Sequence, residues 1–158
     1  MKIRSMANNL CSSLFGIFLL FSCNNNRIYE EHQGLEKLSW PIADTVSFDI
    51  DIASGQKTLS TLRIKYNQEY DYYNLYVRYL VRDSLGQIVD NELLDMNLFD
   101  PKTGKPLGSG YGNSFTQIDT LDLQEVSQYQ KLQVQFVQYM RSNDLDGIES
   151  VGIKLEKE

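Results

Sequence analysis

The side chains best able to do chemistry in this 158-residue chain are few, and their spacing argues against catalysis. His32 is the only histidine. It falls in a polar stretch that reads as a tether, so neither a Ser-His-Asp triad nor a histidine metal cluster assembles within one subunit. Asp49 and Asp51 are the kind of carboxylate pair that glycoside hydrolysis uses, but they alternate along a strand whose polar face is solvated. Gly104-Lys105-Pro106 and Gly108-Ser109-Gly110-Tyr111-Gly112 have the glycines of a phosphate loop without its order. No Ser or Thr follows Lys105, no Gly stands five before Gly104, and the second run reads GxGxG instead of GxGxxG. Asp100 to Lys105 therefore reads as a turn, and the glycines after it allow close packing or present backbone to a partner. Asp144-Leu145-Asp146-Gly147 resembles part of a calcium loop. With Gly147 as the sixth position, the first is Ser142 and the twelfth Ile153, so the pattern breaks at both ends and a turn is expected. No catalytic residue, metal or cofactor is expected.

Chemistry is expected at Cys23. Lys2 and Arg4 form a basic start, and Leu14 to Phe21 is an eight-residue apolar run. That length suits an export signal and is short of the roughly 20 residues of a membrane span. Leu20-Phe21-Ser22-Cys23 resembles a bacterial lipobox, with Leu at −3 and the small Ser22 at −1; Phe21 at −2 is bulkier than usual. Residues 1–22 are thus expected to be removed and Cys23 to carry acyl chains, each buried CH₂ adding about 0.8 kcal/mol of membrane affinity. The alternatives are a secreted chain with a leftover thiol, or an uncleaved anchor. Cys11 leaves with the signal, so the mature domain has no thiol for a disulfide, zinc or a nucleophile. Its stability must come from packing.

The remaining 136 residues are one domain's worth. Removing residues 1–22, which carry two basic residues and no acid, takes the net charge from −6 to −8. An acidic chain of this kind argues against nucleic acid or anionic lipid as a direct partner. Residues 23–39 read as a lipidated terminus and irregular tether, and 40–158 as the domain. Val46-Phe48-Ile50-Ile52, Leu62-Ile64-Tyr66, Tyr73-Leu75-Val77-Tyr79-Val81, Leu132-Val134-Phe136 and Val151-Ile153-Leu155 each alternate with polar residues, the period of a half-buried strand. Ile88 to Leu98 is weakly patterned, Phe115 to Leu121 is a further segment, and Leu123 to Tyr129 is the only stretch with a helical period. The spacing predicts an all-β antiparallel sandwich of seven to eight strands in a single domain. Ten tyrosines and seven phenylalanines fit the pleated surface of such sheets. Trp40 and the Tyr70-Tyr72-Tyr73-Tyr76 cluster could instead stack on sugar rings.

Several blocks in order carry a resemblance. Cys23-Asn24-Asn25-Asn26-Arg27-Ile28-Tyr29-Glu30-Glu31, Ser39-Trp40, Tyr73-Asn74-Leu75-Tyr76, Pro106-Leu107-Gly108-x-Gly110-x-Gly112, Gln138-Tyr139-Met140-Arg141 and Leu145-x-Gly147-Ile148-x-x-Val151-Gly152-Ile153-Lys154-Leu155-Glu156-Lys157 resemble the GldH gliding-motility lipoproteins of the Bacteroidota. The last block is the most specific. Asn113-Ser114-Phe115 and Tyr139 depart slightly from the pattern. The resemblance implies a non-enzymatic cell-envelope component associated with gliding and its secretion apparatus, with no catalytic residues to carry over. It implies a membrane partner through acyl chains on Cys23 and other envelope proteins as binding partners. Trp40, Tyr76, Gly108, Gly110, Gly112, Met140, Arg141, Asp144 and Gly147 are the candidate contact residues, and a glycan ligand is the alternative. Asn24 is not the Asp that marks inner-membrane retention, so the periplasmic face of the outer membrane is the expected location.

Overall fold

The computed structural model describes residues 26–53, 55–123 and 128–158. The export signal, Cys23 and most of the Leu123 to Tyr129 stretch lie outside the described residues. Eleven strands occur among those described: β1 (Arg27–Gly34), β2 (Ser39–Pro41), β3 (Val46–Asp51), β4 (Thr58–Asn67), β5 (Asn74–Asp83), β6 (Ile88–Asn97), β7 (Ser109–Tyr111), β8 (Ser114–Leu121), β9 (Lys131–Gln138), β10 (Asp144–Asp146) and β11 (Ile148–Lys157). They form a five-stranded sheet in the order β1-β11-β4-β8-β7, a four-stranded sheet in the order β3-β9-β5-β6, and a two-stranded β10-β2 ribbon. Every pairing is antiparallel. The all-β sandwich expected from the alternation is what forms, and eight of its strands are longer than the three-residue β2, β7 and β10.

The alternating runs supply the core. Val46, Phe48 and Ile50 of β3, Leu62, Ile64 and Tyr66 of β4, Leu75, Val77, Tyr79 and Val81 of β5, Leu132, Val134 and Phe136 of β9, and Val151, Ile153 and Leu155 of β11 join one buried cluster. Each such side chain contributes roughly 1.5–3 kcal/mol by leaving water. Tyr66 also ties elements together. Its hydroxyl donates to the Leu98 carbonyl and accepts from the Gly108 amide, and its ring meets Phe99 edge-on at 5.2 Å.

Two expectations need correction. Residues 27–34, read as irregular tether, are strand β1, paired with β11 from Arg27↔Glu156 to Gly34↔Ser150. As an edge strand with one neighbour it keeps polar residues on both sides, which hides its period from the sequence. Trp40, a candidate contact residue, is wholly buried. It sits on β2 opposite Leu145 of β10, and its indole Nε1 donates to the Asp44 carbonyl at 3.1 Å. It closes the core and offers no face to a ligand.

Candidate functional site

The glycines singled out from sequence serve close packing or a turn. A Cβ at Gly108 would stand 2.7 Å from the Thr116 carbonyl carbon, and one at Gly110 would run into the Ser114 carbonyl, so both let β7 lie close against β8. Gly112 has φ +67° in the β7–β8 turn, and Gly147 has φ +82° where a Cβ would run into the Tyr70 amide nitrogen. Asp144 is exposed on β10. Asp100 accepts from the Lys102 and Thr103 amides and the Thr103 hydroxyl, as a turn requires. The Thr103 hydroxyl, followed by its amide, holds the Asp100 carboxyl below its ordinary range. Asp49 accepts from Gln133 at 3.0 Å and Asp51 lies 4.0 Å from Lys131, both open to solvent.

Three of the expected residues do come together. Tyr76, Met140 and Arg141 line one groove with Tyr72, Leu93 and Tyr139, a depression of about 480 Å³ on the outer face of the four-stranded sheet. β5 supplies the floor: its even-numbered residues face outward while Leu75, Val77 and Tyr79 go to the core. Register then places neighbours on that face. Tyr76 stands opposite Asp95, and Arg78 opposite both Leu93 and Val137. The Tyr139 amide donates to the Tyr76 carbonyl at 2.8 Å, extending the β9 edge past its last strand residue. Tyr76, Leu93 and Tyr139 remain 37%, 43% and 53% exposed. Arg78 lays its guanidinium 4.6 Å from the Tyr139 ring centroid, a cation–π contact. Its Nε is enclosed with no acceptor among the described residues.

The rim is held by Gln138 and Tyr70, neither of them among the candidate contact residues. Gln138 is buried, and its amide serves two backbone groups beyond β9. Its oxygen accepts from the Met140 amide at 2.8 Å, and its nitrogen donates to the Ser142 carbonyl at 2.9 Å. This fixes the turn that carries Met140 and Arg141, and Met140 Sδ accepts from the Tyr76 amide at 3.3 Å. On the other side the buried Tyr70 hydroxyl donates to the Asn74 carbonyl at 2.8 Å, and its ring meets Tyr72 edge-on at 5.7 Å. Burial, then the neighbouring Tyr72, pushes the Tyr70 hydroxyl well above the ordinary tyrosine range, so it stays a donor. A buried Gln ending an alternating run is the signal that could have marked this rim, since a buried amide needs local backbone partners.

Among the described residues the groove is lined by three tyrosines, Leu93, Met140 and Arg141, and none of these is a carboxylate, thiol, imidazole or serine. Tyrosine, methionine and arginine are the side chains enriched where proteins meet proteins, and tyrosine and arginine carry much of the energy at such contacts.

The GldH lipoprotein family model matches residues 27–155, beginning where β1 begins. The chain is 26% identical over 153 residues to a gliding motility lipoprotein GldH homolog of Christiangramia forsetii, covering 91% of this chain and 92% of that protein. It is 24% identical over 155 residues to the gliding motility lipoprotein GldH of Flavobacterium johnsoniae, covering 91% and 93%. Among solved structures, a chain of the T13 infectious bursal disease virus particle aligns with TM-score 0.43 and 11% identity over 85% of this chain and 33% of its own. Nothing about activity follows from that likeness.

Proposed function

The chain belongs to the GldH lipoprotein family, and from that premise we propose that it is a non-catalytic component of a gliding-motility envelope machinery, anchored by acyl chains on Cys23 and working through protein contacts at the Tyr76–Tyr139 groove. One observation carries the reading: an apolar, arginine-edged groove stands open on the outer face of a sheet that needs no cover there to fold. Anchoring at the periplasmic face of the outer membrane suits a domain that acts by being held in place. The glycan reading draws on the exposed Tyr72, Tyr76 and Tyr139 rings. It loses Trp40 to the core, and Arg78 already covers one face of Tyr139.

The test is affinity recovery of the lipidated protein from envelopes, comparing the natural chain with Tyr76→Ser/Tyr139→Ser. Gliding or secretion components should come with the first and not with the second. Equal recovery by both removes the groove from the account, and recovery of none removes protein contact. A glycan array read with the mature chain should stay blank. Deleting the gene should impair secretion or surface movement, and Cys23→Ala should fail to restore it.

A further inference from the structure

A second hollow, of about 390 Å³, lies on the outer face of the five-stranded sheet and is lined by His32, Arg63, Lys65, Thr116 and Ser150. Register explains why these residues meet. Gly34, Ser150, Lys65 and Thr116 form one cross-strand row over β1, β11, β4 and β8, and His32, Gly152, Arg63 and Ile118 form the next row on the same face. Gly152 has no side chain, and the His32 imidazole occupies the space a Cβ would need; the place above Gly34 is open. The depression that results is walled by an imidazole, a guanidinium, an ammonium and two hydroxyls, all able to donate.

Lys65 is paired with Glu149, but others of these donors are under-used. The Thr116 and Ser150 hydroxyls make no side-chain hydrogen bond to another described residue. Arg63 Nε is enclosed without an acceptor among the described residues, and its Nη1 reaches Glu30 only at 3.5 Å. Acids stand at the margin and not in the lining: Glu30 is 3.7 Å from His32, and Glu149 is 3.1 Å from Lys65. The net charge of −6 argues against an anionic lipid surface as a general partner, but this local concentration of donors can hold a single anionic group.

We propose that this hollow binds a phosphate group. A tetrahedral oxyanion takes donors from several directions, which suits five side chains on four adjacent strands, whereas a planar carboxylate is satisfied by a single arginine fork. The fold also brings a source near. β1 begins four residues after Cys23, a reach of roughly 14 Å of extended chain. If Cys23 is acylated, the start of the strand bearing His32 is therefore held within reach of phospholipid headgroups. That placement rests on the anchoring reading; the chemistry of the hollow does not. A headgroup phosphate and free inorganic phosphate present the same oxygens.

The test uses the whole mature chain, residues 23–158 with Cys23→Ala, titrated with inorganic phosphate and sedimented with phosphatidylcholine vesicles with and without phosphatidic acid. Binding of phosphate, of phosphatidic-acid vesicles, or of both is expected, and it should weaken about tenfold or more in Arg63→Gln and Lys65→Gln. Thr116→Val with Ser150→Ala keeps every charge and should weaken it severalfold, which carries the test if an Arg63 variant fails to fold. Vesicle binding alone assigns the headgroup as the source, and binding of free phosphate assigns a soluble one. Binding to neither, or binding unchanged in all these variants, overturns the proposal. Because this chain carries no lipid, that failure would leave the anchor and the groove untouched, and their failure in cells would leave this site standing.

Discussion

The two sheets of the sandwich bury the same kind of side chain inward, and each carries a different patch among the polar residues it presents outward. The five-stranded sheet shows Glu30, His32, Arg63, Lys65, Glu149 and Lys154, with ion pairs Arg63–Glu30 at 3.5 Å, Lys65–Glu149 at 3.1 Å and Lys154–Glu156 at 2.7 Å. The four-stranded sheet shows Tyr76, Leu93 and Tyr139, with Arg78 stacked on the last. Charged pairs of this exposure contribute about 0–1 kcal/mol each, so the first face suits water without doing much for the fold. The second face leaves aromatic surface in water that burial would favour, and the core beneath it is complete without cover. A protein contact recovers that surface, so the aromatic face is where a partner gains most from docking.

Substitutions on and beneath the two faces differ in expected cost. Trp40→Ala empties a fully buried site on which both faces depend, and should lose about 3–5 kcal/mol of unfolding free energy, read by chemical denaturation. If instead it abolished partner recovery while stability held, Trp40 would be a contact after all. Gly110→Val forces β7 off β8 at the rim of the charged sheet and should cost about 1–3 kcal/mol, with the aromatic groove intact.

Glu149→Gln should cost about 1 kcal/mol near neutral pH and flatten the acid limb of the stability curve. Burial works against the Glu149 carboxylate, yet hydrogen bonds from Ser114 and Lys65 and the Lys65 charge bring its pKa below 4.5. A carboxyl depressed on folding stabilises above its unfolded pKa, and that contribution fades as pH falls through the folded value. The natural chain should therefore lose stability below about pH 4.5 more steeply than the variant, and parallel curves would contradict this. Smallest is Tyr139→Ser, which removes one cation–π contact and should change stability by about 0.5–1 kcal/mol. A large loss there would make the groove structural and end its contrast with the charged face.

Much of this was legible in the residues. The alternations of β3, β4, β5, β9 and β11 announced the core because strands covered on one face must alternate. Tyr73 shows the limit of that reading: it continues the β5 period but precedes the strand and is exposed. β1 was not visible, since its membership depends on pairing with β11, more than a hundred residues away. Of the groove, Tyr72 and Tyr76 stood in the tyrosine cluster, and Met140 and Arg141 came from the resemblance, while Leu93 was missed because β6 is an edge strand with a blurred pattern. The phosphate hollow was unreadable for the same reason as β1: its five donors meet only when four strands are in register.

Site-specific photo-crosslinking in living cells decides whether the aromatic face, and not the charged one, meets a protein partner. A photoreactive phenylalanine analogue replaces Tyr76 on one face or Ile118 on the other, both partly exposed on outward strand positions. Discrete covalent adducts with a gliding or secretion component are expected at position 76 and absent at position 118. Adducts at 118 with none at 76 would contradict the account.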